Sequence, residues 1–162
     1  MLRWVGATCG DGSLYPLSDA TLLYDIEEVL ALCDDLERAW TPALYVAMRP
    51  SIYGHPEDWA PAGKAAVVQK LRERFAFDAE GLPRFLGYLS TRLEASAGGF
   101  LCGAQPTIAD LRLLPQLRHF QLGKADHVPA NILDQAPAVI AWIQRMLELP
   151  AIAEWYSLES RP

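Results

Sequence analysis

The chain of 162 residues is expected to fold as an all-α bundle of about five to six helices. Three observations lead there. Apolar residues recur at helical spacing in successive stretches, and convincing period-two alternation of β-branched residues is absent. The segment Thr107-Ile-Ala-Asp110 also has the form of a helix start, with a hydroxyl at the cap position and a carboxylate three residues later. At this length one domain is expected, and folding removes roughly 70% of the unfolded surface from water.

Met1 to Gly6 reads as the last turns of a helix, with Leu2 and Val5 at helical spacing, and Gly10-Asp-Gly-Ser13 closes it. Tyr15-Pro16 follows as a linker. Ser18 or Asp19 then caps a long helix whose apolar face is Leu22, Ile26, Val29, Cys33, Leu36 and Trp40. Its other face is acidic, with Asp25, Glu27, Glu28, Asp34, Asp35 and Glu37. Pro42 lies inside the continuing pattern of Leu44, Tyr45 and Met48, so the helix is expected to kink or restart there. Pro50 to Gly63 reads as loop.

A second long helix is expected from about Lys64 through Leu71 and Phe75, interrupted near Gly81-Leu-Pro83 and resumed by Phe85, Tyr88, Leu89 and Leu93. Gly98-Gly99 stops it. The capped helix behind Thr107 carries the stripe Ile108, Leu111, Leu114, Leu117 and Phe120, and Pro115 is expected to bend it. Pro137 stands at another helix start, where its missing amide costs nothing, and Val139, Ile140, Ile143, Met146 and Leu147 form its inner face. Pro150 opens a final short helix.

Composition excludes several classes of function. With 51% hydrophobic and 21% charged residues, the chain is an ordinary globular protein. A net charge of −6 disfavours nucleic acid, and the basic run Lys70-Leu-Arg-Glu-Arg74 contains its own carboxylate. No stretch approaches the roughly 20 apolar residues of a membrane span. The first residues lack the basic and apolar regions of a secretion signal, so a cytoplasmic protein is expected. Cys9, Cys33 and Cys102 are three in number and widely spaced, which suits reduced thiols. His55, His119 and His127 are scattered and form no metal spacing, so no metal is expected, and no resident cofactor is expected either.

Three segments carry a resemblance. Phe100-Leu-x-Gly-x-x-x-Thr-Ile-Ala-Asp-Leu111 resembles the capping-box segment that starts the central helix in the C-terminal domain of glutathione transferases. Ala136-Pro-Ala-Val-Ile-Ala-Trp-Ile-Gln-Arg-Met-Leu-Glu-Leu-Pro-Ala-Ile152 resembles that family's next signature. Leu2-Arg-Trp-Val-Gly6 followed by Leu14-Tyr-Pro16 resembles the exit helix and linker of its first domain. The resemblance implies that residues 1–16 are the remnant of a thioredoxin-like domain and its linker, and that 17–162 form the helical domain. It also implies that the thiol-activating half of the enzyme is absent, so no catalytic residue is assigned and the chain alone is expected to be inactive.

Within the helical domain the resemblance implies site residues. Asp35 matches the carboxylate that in several classes crosses a dimer interface to the ammonium of glutathione, a co-substrate. A solvated acidic face is the plainer reading of Asp34-Asp35. Trp40, Leu44, Tyr45, Met48 and Trp155 match positions walling the pocket for apolar electrophiles, although aromatic residues at helical spacing are more often core. Thr107 and Asp110 are structural. The implied partners are glutathione, an apolar electrophile and a second copy of the chain. The alternative is a stand-alone interaction module, as similar helical domains serve in elongation factor gamma subunits and tRNA synthetase complexes.

Overall fold

The computed structural model describes residues 1–159, and its regular elements are helices throughout: α1 (Leu2–Thr8), α2 (Ala20–Tyr45), α3 (Pro61–Phe77), α4 (Leu82–Ala95), α5 (Ile108–Gln121), α6 (Pro137–Glu148) and α7 (Pro150–Glu159). Beyond α1 the bundle therefore has the six helices at the upper end of the expected number. Short 3₁₀ turns at Pro50–Tyr53 and Ile132–Gln135 punctuate the connections.

Asp19, rather than Ser18, caps α2, accepting the Leu22 amide at 2.9 Å. The buried face is Ile26, Val29, Leu30, Cys33, Leu36, Trp40 and Ala43. Pro42 does not make the helix restart, since α2 runs through it to Tyr45. Beside the gap left by the missing amide, Thr41 Oγ1 donates to the Glu37 carbonyl at 2.7 Å.

α3 begins at Pro61, one turn before its first expected residue, because proline at the first helical position already has the required φ. The interruption expected near residue 81 separates α3 from α4. A Cβ on Gly81 would lie 2.2 Å from the Phe75 carbonyl oxygen, so only glycine lets the chain fold this closely over the end of α3.

α5 is central, packing against α1, α2 and α6. Its burial is broader than the expected three-residue stripe. Ala109, Asp110 and Leu113 are buried with Ile108, Leu114, Leu117 and Phe120, whereas Leu111 is half-buried. A helix covered on several sides loses the one-sided periodicity from which such a stripe is read. Pro115 lies inside α5, which continues past it to Gln121. Val139, Trp142, Ile143 and Met146 of α6 are all fully buried against this layer.

α1 sits on the start of α5 through backbone. The Ile108 amide donates to the Leu14 carbonyl at 3.0 Å, and a Cβ on Gly6 would lie 2.5 Å from Ile108 Cγ2. Arg3 donates twice to Glu27 of α2, at 2.7 and 2.6 Å, and Tyr15 Oη donates to the same carboxylate at 2.7 Å. The Arg3 hydrogen bond is the chief reason that the Glu27 carboxyl titrates below its usual range.

Candidate functional site

The first turn of α5 shows what a completed polar site looks like in this fold. Asp110 is fully buried, and its carboxylate accepts four hydrogen bonds. Oδ2 takes the Thr107 amide at 2.8 Å and the Thr107 hydroxyl at 3.1 Å. Oδ1 takes the Leu101 amide and Trp142 Nε1, both at 2.9 Å. The capping box expected for Thr107 and Asp110 is present, and Thr107 Oγ1 also accepts the Ala109 amide at 3.3 Å. The carboxylate so joins the preceding loop, α5 and α6, and the four donors offset the cost of burying its charge.

Two turns further along α5 the arrangement changes. A cavity of about 290 Å³ lies between α5 and the C-terminal half of α2, lined by Leu36, Glu37, Trp40, Leu44, Arg112, Gln116, His119 and Phe120. Trp40 anchors an aromatic cluster, with Phe75 at 4.9 Å and Phe120 edge-on at 5.1 Å between ring centroids. The Arg72 guanidinium lies 5.9 Å from the Trp40 ring. At the polar wall, Arg112 Nη2 donates to Glu37 and, at 3.3 Å, to Asp34. Burial first, then the charges of Lys124 and Arg72, hold the His119 pKa below its ordinary value. Gln116 Oε1 is buried with no hydrogen-bond donor among the described residues.

Of the five pocket residues expected from the sequence, Trp40 and Leu44 line this cavity. Tyr45 is 39% exposed and Met48 63% exposed, and neither lines it. One step along a helix turns the side chain by about 100°, which separates Tyr45 from Leu44. Met48 follows the end of α2, and Trp155 is 62% exposed on α7. Sequence reasoning missed Arg112, Gln116 and His119. Their signal was a polar series at i, i+4 and i+7, the spacing of one helical face. Arg112 bridges to α2, and the Arg118 guanidinium lies 4.0 Å from the Tyr156 ring centroid with its Nε buried.

Asp35 lies elsewhere, in a groove of about 1060 Å³ between α2 and α4, together with Asp25, Glu28, Leu32, Tyr88 and Arg92. Its side chain is 54% exposed and accepts from Arg38 Nη1 at 2.6 Å. Arg92 ties the groove's floor, donating to Glu28 at 2.6 Å, to the Leu101 carbonyl at 2.8 Å and to the Asp25 carbonyl at 3.2 Å. Cys102 borders the groove. Burial pushes its thiol up to about 11, and that of Cys33 to about 12. Both are therefore protonated at neutral pH and poor nucleophiles. Among the described residues no group of acidic, His or Cys side chains has the arrangement of a metal site. No helix of the described residues is long and apolar enough to cross a membrane.

Comparison with known proteins agrees with this architecture. Residues 57–159 match the family model of the glutathione S-transferase C-terminal domain. Among solved structures, monomeric Na-GST-3, a glutathione S-transferase from the hookworm Necator americanus, is 24% identical at a TM-score of 0.58, covering 89% of this chain and 60% of that one. NaGST-2 is 20% identical at a TM-score of 0.63, covering 99% of this chain and 66% of that one. The chain thus spans less than two thirds of either neighbour, and at these identities the likeness is one of fold. A search of curated proteins gave no match. With the family model covering most of the helical bundle, the chain belongs to the glutathione S-transferase family, as its C-terminal domain.

Proposed function

We propose that this chain is the electrophile-binding half of a glutathione transferase, with the thiol-activating half supplied by a thioredoxin-like domain. The observation that carries the reading is the cavity between α2 and α5, with Trp40, Phe120, Leu36 and Leu44 as its apolar walls. Such a concave, mostly apolar site with few polar groups is the usual form of a small-molecule pocket. Its volume suits a substituted arene.

Conjugation needs a glutathione thiolate, and that requires a donor or positive field beside the sulfur. The Tyr15 hydroxyl already donates to Glu27, so it is committed to structure. The chain alone therefore binds the electrophile and does not turn it over. Incubating it with glutathione and a chloroarene should give no conjugate above the uncatalysed rate, while calorimetry detects binding of the arene. Replacing half-buried Leu44 by Trp should fill the cavity and abolish that binding. Sustained turnover by the purified chain, or arene affinity unaffected by Leu44→Trp, would refute the reading.

In the same proposal Asp35 exchanges Arg38 for the ammonium of glutathione held by a second copy, and the α2 and α4 groove forms part of the dimer interface, in a cytoplasmic detoxifying enzyme. Na-GST-3 is described as monomeric, so sedimentation of this chain is a direct test of the dimer. The alternative of an interaction module draws on α1, where Trp4 is 68% exposed, Val5 37% and Leu2 36%. Apolar surface of that kind favours a covering partner.

A further inference from the structure

The polar wall of the α2 and α5 cavity specifies more than an apolar guest. Arg112 is the cation nearest to hand, but Glu37 and Asp34 both accept from its Nη2, and Glu37 itself lines the cavity. Its charge is spent on α2, so an anionic guest would meet a neutralised guanidinium beside a carboxylate. Two groups are left over. Gln116 Oε1 is buried and accepts no hydrogen bond among the described residues, an arrangement that costs free energy and favours any donor brought to it. His119 contributes its ring to the aromatic cluster, 6.3 Å from Trp40 and 5.6 Å from Phe120, and no described residue hydrogen-bonds to its ring nitrogens. Burial above all, with the charges of Lys124 and Arg72 adding to it, holds the ring toward the neutral imidazole, which has one donor and one acceptor nitrogen.

We propose that this cavity selects a small neutral aromatic molecule carrying a hydroxyl or N–H group, with Gln116 and His119 as the residues that choose it. A hydroxyl both donates and accepts, which matches an amide oxygen and a neutral imidazole together. Trp40 and Phe120 take the ring. Gln116 lines the cavity but its Oε1 is closed to water, so binding in this proposal includes a turn of the side chain about its own bonds that brings the oxygen to the guest. The inference rests on the reading of this cavity as the electrophile pocket and adds the polar requirement to it.

The test is calorimetric titration of the full chain with 2-naphthol, 2-methylnaphthalene and 2-naphthoate. The first two are nearly equal in shape, and the third carries a charge. 2-Naphthol should bind at least roughly tenfold more tightly than either of the others, the gain of one well-formed hydrogen bond. The pair Gln116→Met and His119→Phe, which keeps volume and aromaticity, should reduce that preference to about twofold while leaving 2-methylnaphthalene affinity nearly unchanged. Equal binding of naphthol and methylnaphthalene by the unaltered chain overturns the inference and leaves the apolar pocket standing. Tighter binding of naphthoate overturns it too, in favour of an anion site. Binding of none of the three overturns both the inference and the pocket. Because the ranking of ligands on the unaltered chain decides by itself, the result does not depend on the double variant folding.

Discussion

The two ends of α5 are built from the same kinds of side chain and treat them in opposite ways. At its start, Thr107 and Asp110 are buried and every oxygen of the carboxylate has donors. Toward its end, Gln116 and His119 line one cavity with Trp40 and Phe120, and both have hydrogen-bonding capacity unused by the described residues. A buried polar group is stabilising only in company, so the first end belongs to the fold, and the second is where a guest has something to offer.

Breaking the completed end should have the largest effect. Asp110→Ala strands the amides of Leu101 and Thr107 and the Trp142 indole, and should cost roughly 3 kcal/mol or more. For a domain of this size that is a melting temperature lower by roughly 10 °C, read by circular dichroism. Thr107→Val removes only the hydroxyl at the cap and should cost about 1 kcal/mol in urea denaturation. His119 sharpens the comparison through pH. Its folded pKa is depressed, chiefly by burial, so the unfolded chain binds more protons below its ordinary value near 6.5. Stability should hold above pH 6.5 and decline as pH falls through the window beneath it, and His119→Phe should flatten that decline. At the unfinished end, Gln116→Met should be neutral or stabilising, within about 1 kcal/mol, since it removes an orphaned acceptor. A large loss there would mean that Gln116 is structural after all. Asp35→Ala should change stability least, by less than about 0.5 kcal/mol, because its pair with Arg38 is well exposed.

The difference between the two ends also explains what the sequence could convey. The start of α5 was legible because capping is local: Thr107, Asp110 and the intervening pair are adjacent in the chain, and their spacing alone implies the bonds. The helical class and the proline-opened starts of α6 and α7 were legible for the same reason. What escaped was tertiary. Leu113 is buried because α5 is covered on several sides, and no one-sided stripe reports that. The polar wall of the cavity joins α2 residues near 37–44 with α5 residues near 112–120, a proximity set by packing. Tyr45 and Met48 were grouped with Leu44 by position in the chain, whereas the helix turn and the end of α2 carry them elsewhere.

The seating of α1 has a consequence for whatever is joined to it. Its backbone rests on Ile108 at Gly6, and its Arg3 side chain grips Glu27 on a different helix. Two anchorages on separate elements determine a line, and so the short rod is aimed as well as attached. Any body carried on that rod would inherit its bearing relative to the mouth between α2 and α5, like a door hung on two hinges rather than one.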